Sequence, residues 1–292
     1  MSSAATSCSA AYSTLIGAQE LAQHLHDPGW VVFDCRHDLA NRDFGREAYA
    51  RAHIPGARFL HLDEDLSSAL TGTNGRHPLP DPDGFARRLA AAGVGNETQV
   101  VAYDDAGGMF AARLWWMMRW LGHHCVAVLD GGLVAWLEAG QALTAELPKP
   151  ASADFRISLR PEAVDAGYVL DHLQHPEMLL IDARSPDRYR GENETLDPVG
   201  GHIPGALNRF FRDNLDKRGH FKQASVLREE FGALLKGSDA RRVVHQCGSG
   251  VTACHNLLAM EAAGLTGSRL YAGSWSEWCA DPARPVATGP ER

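Results

Sequence analysis

Short β-branched runs alternate with helically spaced apolar positions along this chain. In the second half, Met178 to Asp182, Arg241 to Gln246 and Ser268 to Tyr271 read as buried strands. Between the last two, Val251, Cys254, Leu257 and Leu258 keep helical spacing, and Gly264 closes the helix. Strand–helix–strand alternation predicts an α/β fold, with parallel sheets covered by helices on both faces. Two stretches break the pattern. Glu146 to Arg160, with Pro148 and Pro150 and little apolar content, reads as a linker, and Gly72 to Pro82 reads as a loop rich in Gly, Pro, Asn and Asp.

The pattern is written twice. Val31-Val32-Phe33-Asp34-Cys35-Arg36 recurs as Leu179-Leu180-Ile181-Asp182-Ala183-Arg184, and His53-Ile54-Pro55-Gly56-Ala57 as His202-Ile203-Pro204-Gly205-Ala206. Val100-Val101-Ala102-Tyr103-Asp104 recurs as Val243-Val244-His245-Gln246-Cys247. Leu129-Asp130-Gly131-Gly132 with Trp136 recurs as Tyr271-Ala272-Gly273-Ser274 with Trp278. The period is far too long for a solenoid, so two similar domains are expected. They run over residues 1–148 and 161–292, joined by a linker over 149–160.

Composition narrows the function classes. A length of 292 residues fits two domains with cores that need no disulfide staples. The net charge of -8 speaks against a nucleic-acid partner. No apolar run approaches the roughly 18 residues of a membrane span. Met1 to Ser13 is Ser/Ala-rich without Lys or Arg, which reads as a frayed tail and not a signal peptide. The six cysteines show no framework spacing and no Cys-x-x-Cys pair, which predicts reduced thiols and a cytoplasmic location.

Cys247 carries the candidate chemistry. It stands where a predicted strand ends, at the head of Cys247-Gly248-Ser249-Gly250-Val251-Thr252-Ala253 and before a helix. Ligands of parallel sheets bind outside the carboxyl ends of the strands. Loop N–H groups and the helix dipole converge there, which lowers a thiol pKa and makes a nucleophilic thiolate. The same cradle can hold a persulfide anion. The twin position is Asp104, so the first copy has lost the nucleophile.

A cysteine-dependent phosphatase needs an arginine at the sixth position after the cysteine, where this chain has Ala253. The papain-like cysteine signature is absent. Cys247, Cys254 and His255 lack zinc-ligand spacing, and Cys254 sits on the apolar stripe, so no metal site is expected. As a strand and a helix residue, His245 and His255 are expected to point away from the loop. Arg184 recurs with its aspartate as Arg36, which argues for a structural ion pair.

The paired Asp-x-Arg and His-Ile-Pro-Gly-Ala motifs and the Cys247 loop resemble the tandem-domain sulfurtransferases of the rhodanese superfamily. The likeness spans nearly the whole chain. Gly248 and Ser249 stand where the thiosulfate branch carries basic residues, so the loop matches the 3-mercaptopyruvate branch. The resemblance implies two rhodanese-like domains, the second catalytic and the first without a nucleophile. It implies a Ser249–His77–Asp63 arrangement, with Asp63 and His77 coming from the first copy into an interdomain cleft. Gly248, Gly250, Val251 and Thr252 would line the substrate loop, and Arg188 would bind the donor carboxylate. The family's second substrate arginine is missing from Gly191 to Pro198, and Arg190 just before it is the nearest candidate to stand in, with nothing in the sequence to assign it that role.

The implied reaction moves a sulfane sulfur from 3-mercaptopyruvate through a Cys247 persulfide to cyanide, a small thiol or a thioredoxin-like acceptor, with no cofactor. Two other readings remain open at this level. One is a thiosulfate:cyanide sulfurtransferase, and the other is a persulfide carrier with little turnover of free donors.

Overall fold

The computed structural model describes residues 12–173 and 175–290. The expected tail, Met1 to Ser13, lies almost wholly outside them. The chain divides into two units. One comprises the residues up to His61 with Asp81–Leu159, and the other comprises Leu62–Pro80 with the residues from Arg160 onward.

The first unit holds β1 (Leu15–Ile16), β2 (Trp30–Asp34), β3 (Arg58–Phe59), β4 (Gln99–Tyr103) and β5 (Val126–Leu129), in the order β1-β5-β4-β2-β3. The second holds β6 (Ala163–Val164), β7 (Leu179–Asp182), β8 (Leu207–Asn208), β9 (Val243–Gln246) and β10 (Arg269–Tyr271), in the order β6-β10-β9-β7-β8. Every pairing is parallel, and the two orders are the same. β4, β5 and β9 are buried along their whole length. Burial on both faces is why they read as continuous apolar runs and not as alternating ones.

The expected strand from Arg241 begins two residues later. The Asp239 carboxylate accepts the Arg241 N–H at 2.9 Å and coils Ala240–Arg242 into a 3₁₀ turn. The predicted helix runs over Ala253–Ala262, and Gly264 ends it at φ +75°. The expected linker carries no helix or strand from Glu146 to Leu159 and lies along the first unit. There the Ala153 N–H bonds the Ala90 carbonyl at 2.9 Å, and the Ser158 N–H bonds that of Leu121 at 2.8 Å.

The repeated motifs have the same physical origin in both units. Asp34 and Asp182 are buried at the ends of β2 and β7, where each accepts a fork of bonds from the arginine two residues on. The remaining donors of Arg36 and Arg184 reach the carbonyls of Ala52 and Gly201, both at 2.7 Å. In the His-Ile-Pro-Gly-Ala runs, Gly56 and Gly205 take φ +75° and +80°, which lets the turn close. The histidine ring stacks on a tyrosine, His53 on Tyr49 at 4.0 Å and His202 on Tyr189 at 3.8 Å.

The segment Leu62–Pro80 leaves the first copy's sequence order and belongs to the second unit. Gly75, at φ +80°, lets the chain pass so close that a Cβ there would lie 2.8 Å from the Gly273 carbonyl oxygen. The next N–H, of Arg76, donates to Ser276 Oγ at 3.0 Å. Cys35, Cys247, Cys254 and Cys279 are free thiols, but Cys125 is disulfide-bonded, which corrects the expectation of reduced thiols throughout. No helix among the described residues is long and apolar enough to cross a membrane.

Arg36→Leu would leave Asp34 buried without its cationic partner. The expected loss is about 3–5 kcal/mol in urea-induced unfolding of the first unit, and a loss under about 1 kcal/mol would contradict this role.

Candidate active site

The two units differ most in the turn after the central strand. In the first, Asp104 follows β4, and its carboxylate accepts four backbone N–H bonds, from Ala106, Gly108, Phe110 and Ala111, at 2.8–2.9 Å. Burial pushes its carboxyl above the usual range, and the four N–H groups pull it back. Each oxygen accepts two donors, which is the geometry of an anion. The turn is therefore an anion cradle that its own side chain fills.

Cys247 holds the matching position after β9. The Leu133 N–H bonds the Asp104 carbonyl at 2.9 Å, and the Trp275 N–H bonds the Cys247 carbonyl at 3.0 Å. Gly250 takes φ +77°, and a Cβ there would lie 2.2 Å from the Ala272 carbonyl oxygen, so the turn requires glycine. Ser274 matches Gly132 and takes φ +54°, a conformation that disfavours a side chain. Its Oγ accepts the Cys247 N–H at 3.1 Å and donates to the Tyr271 carbonyl at 2.9 Å. Cys247 is 1% exposed.

Asp63, His77 and Ser249 form one chain of contacts. His77 Nδ1 lies 2.7 Å from Ser249 Oγ, and His77 Nε2 lies 3.2 Å from Asp63 Oδ1. All three belong to the second unit, the one that carries Cys247, although Asp63 and His77 come from the first copy in sequence. Of the other loop residues, Val251 is buried and Thr252 is the N-cap of the following helix, with no side-chain cap bond.

Arg188 lies over the loop. A Cβ on Gly248 would be 3.5 Å from both Arg188 Nη1 and Nη2, and 2.9 Å from Arg76 Nη2. Two guanidinium groups therefore stand above the residue after the nucleophile. Burial, with Arg188 alongside, pushes Arg76 below the usual guanidinium range. Glu194 takes two bonds from Arg188 Nη2, at 2.8 and 2.9 Å, and one from Nε at 3.0 Å. Asp197 bridges the pair, to Arg188 Nη2 at 3.4 Å and to Arg76 Nη1 through its other oxygen. The Trp275 Nε1–H holds this segment by the Val199 carbonyl at 2.9 Å.

Other expectations fall away from the site. Arg190 pairs with Glu192 at 2.7 Å and does not replace a second arginine over the loop. His245 is fully buried with Nε2 3.2 Å from Met260 Sδ, and burial lowers its pKa to about 3. His255 stacks on Phe221 at 4.4 Å, and Cys254 Sγ donates to the Gly250 carbonyl at 3.3 Å. Cys247, Cys254 and His255 therefore build no ligand set. Sequence reasoning missed Arg76, Glu194, Asp197 and Ser274. Arg76 adjoins His77 in a run that was already singled out, and Ser274 replaces a glycine of the twin copy.

With this geometry in place, comparisons with known proteins agree. The Rhodanese-like domain family matches residues 17–139 and 165–281. A Pseudomonas aeruginosa protein named "Probable 3-mercaptopyruvate sulfurtransferase" is 49% identical over 94% of this chain and 98% of its own length. Thiosulfate sulfurtransferase of Bos taurus is 34% identical over 91% of this chain and 92% of its own. Among solved structures, the Escherichia coli protein SseA, described as a 3-mercaptopyruvate sulfotransferase, superposes with a TM-score of 0.79 at 32% identity, over 91% of this chain and all of its own. The chain belongs to the rhodanese-like family, among its two-domain sulfurtransferases.

Gly250→Ala forces a Cβ against the Ala272 carbonyl in a left-handed conformation. The expected cost is about 2 kcal/mol or more in stability of the second unit, with loss of sulfur transfer. Wild-type stability and turnover in this variant would contradict the requirement for glycine.

Proposed function

We propose that this chain is a 3-mercaptopyruvate sulfurtransferase that works through a Cys247 persulfide. The observation that carries this reading is the Asp104 turn. In one copy the turn after the central strand binds its own carboxylate through four N–H groups. In the other, a cysteine stands where that carboxylate would begin. A cradle built for one negative charge favours a thiolate before the reaction and a persulfide anion after it.

The Cys247 thiolate attacks the donor sulfur. The new S–S bond takes the thiolate electron pair, and the C–S bond breaks towards carbon to leave pyruvate enolate. The proton of the donor thiol ends on the enolate carbon, which leaves a Cys247 persulfide anion and pyruvate. His77, between Ser249 Oγ and the Asp63 carboxylate, is in place to pass that proton, and Asp63 fixes the ring that does so. Arg188 holds the donor carboxylate. In the second step, cyanide or an acceptor thiol attacks the outer sulfur and the Cys247 thiolate is regenerated. The chemistry asks nothing of a metal or organic cofactor. Cys125 apart, the described cysteines are outside any disulfide; a thiol-based cycle suits a compartment that keeps thiols reduced, and we place the protein in the cytoplasm on that ground.

Thiosulfate is the second donor to weigh, because Arg76 and Arg188 bring positive charge over a loop that is neutral in sequence. Glu194 and Asp197 offset that charge. The balance favours a donor with one carboxylate over a compact dianion.

Three measurements test this reading. Cys247→Ser is expected to abolish transfer from both donors, and residual turnover near the wild-type rate would sink the mechanism. His77→Ala is expected to lower kcat with 3-mercaptopyruvate about a hundredfold and to affect persulfide discharge by cyanide far less. Side-by-side rates with the two donors assign the preference, and faster turnover of thiosulfate would overturn the donor named here.

A further inference from the structure

The family's second substrate arginine is absent from the segment after Arg188, yet a second guanidinium is present at the loop. It arrives from Leu62–Pro80, more than a hundred residues earlier in sequence. We propose that Arg76 is the second guanidinium of the donor-carboxylate site, acting with Arg188 beside Gly248. The inference rests on the sulfurtransferase reading above and extends it to the recognition of the donor.

Three observations carry it. First, the two guanidinium groups converge on one point: a Cβ on Gly248 would lie 2.9 Å from Arg76 Nη2 and 3.5 Å from both terminal nitrogens of Arg188. Gly248 follows the nucleophile directly, and its lack of a side chain is what lets both groups come so close to the backbone there. Second, Arg76 Nη2 and Arg188 Nη1 make no hydrogen bond among the described residues, while Arg76 Nη1 is engaged by Asp197, and Arg188 Nε and Nη2 by Glu194 and Asp197. One donor-bearing nitrogen of each arginine therefore remains for the two oxygens of a carboxylate.

Third, the arginine is held in place. Its own N–H is tied to Ser276 Oγ at 3.0 Å, the preceding Gly75 packs against Gly273, and Asp197 grips the guanidinium from the side away from Nη2. Holding two like charges together is unfavourable in a free chain, and Asp197, bridging both, is what makes the arrangement stable. No matching pair exists in the first copy. There Ala40 takes the place of Arg188, and Asp105 that of Gly248. The arginine pair therefore accompanies the nucleophile and not the fold.

The test uses the full-length chain with Arg76→Ala and Arg76→Lys, and measures KM and kcat with 3-mercaptopyruvate and cyanide together with competitive inhibition by pyruvate. Arg76→Ala is expected to raise KM about tenfold or more, the effect of losing one charge-assisted hydrogen bond. KM should rise more than kcat falls, and pyruvate inhibition should weaken in parallel. Arg76→Lys keeps the charge without the fork and is expected to recover part of the loss. Unchanged KM and unchanged pyruvate inhibition in a folded Arg76→Ala protein would overturn the proposal. So would an equal loss in both half-reactions, which marks a purely structural role. If the wild-type chain uses thiosulfate and not 3-mercaptopyruvate, the donor reading fails by itself. Arg76 is then judged by whether the alanine variant raises the thiosulfate KM.

Discussion

The turn that follows the central strand of the first sheet places a negative charge among backbone N–H groups, and the second sheet ends in the matching turn with a thiol at that position. Such a turn cannot stand empty at no cost, because buried N–H groups without acceptors are expensive. The first copy meets the need with Asp104, which fills its own cradle. The second gives the position to Cys247, which in the proposed reaction carries the charge and the transferred sulfur. At that position the two turns differ in a single side chain at the end of a strand.

Everything else in the second unit supports that side chain. Ser274 accepts a left-handed backbone so that its Oγ can take the Cys247 N–H. Gly250 lets the loop pass under the Ala272 carbonyl. The ion pair of Asp182 and Arg184 locks the end of the neighbouring strand and has a counterpart in Asp34 and Arg36, so it belongs to the scaffold. The groups without counterparts are the ones to which the proposed reaction gives a role: His77 against Ser249, and the two arginines beside Gly248 with their carboxylate partners.

Much of this was legible in the sequence because it is local. The repeat, the strand endings and the cysteine loop follow from runs of neighbouring residues, and the sheets match them to within a residue or two. Ala253 counts strongly against a phosphatase without any structure. What stayed hidden is long-range. Leu62–Pro80 reads as part of the first copy, but Gly75 and Arg76 fasten it to the second unit through Gly273 and Ser276. A sequence pattern records which face of an element is apolar and not which distant loop will cover a site. For the same reason the loop read as neutral, although the fold brings Arg76 and Arg188 above it and Glu194 and Asp197 beside them.

The central claim is that sulfur resides on Cys247 between two half-reactions. The most direct measurement is intact-protein and peptide mass spectrometry after mixing enzyme with 3-mercaptopyruvate in the absence of an acceptor, with pyruvate assayed in the same sample. The account predicts a gain of one sulfur atom on the peptide bearing Cys247, one pyruvate released per sulfur gained, and loss of that sulfur on adding cyanide. Pyruvate release with no sulfur on Cys247, or sulfur carried by Cys35, Cys254 or Cys279 instead, would contradict it.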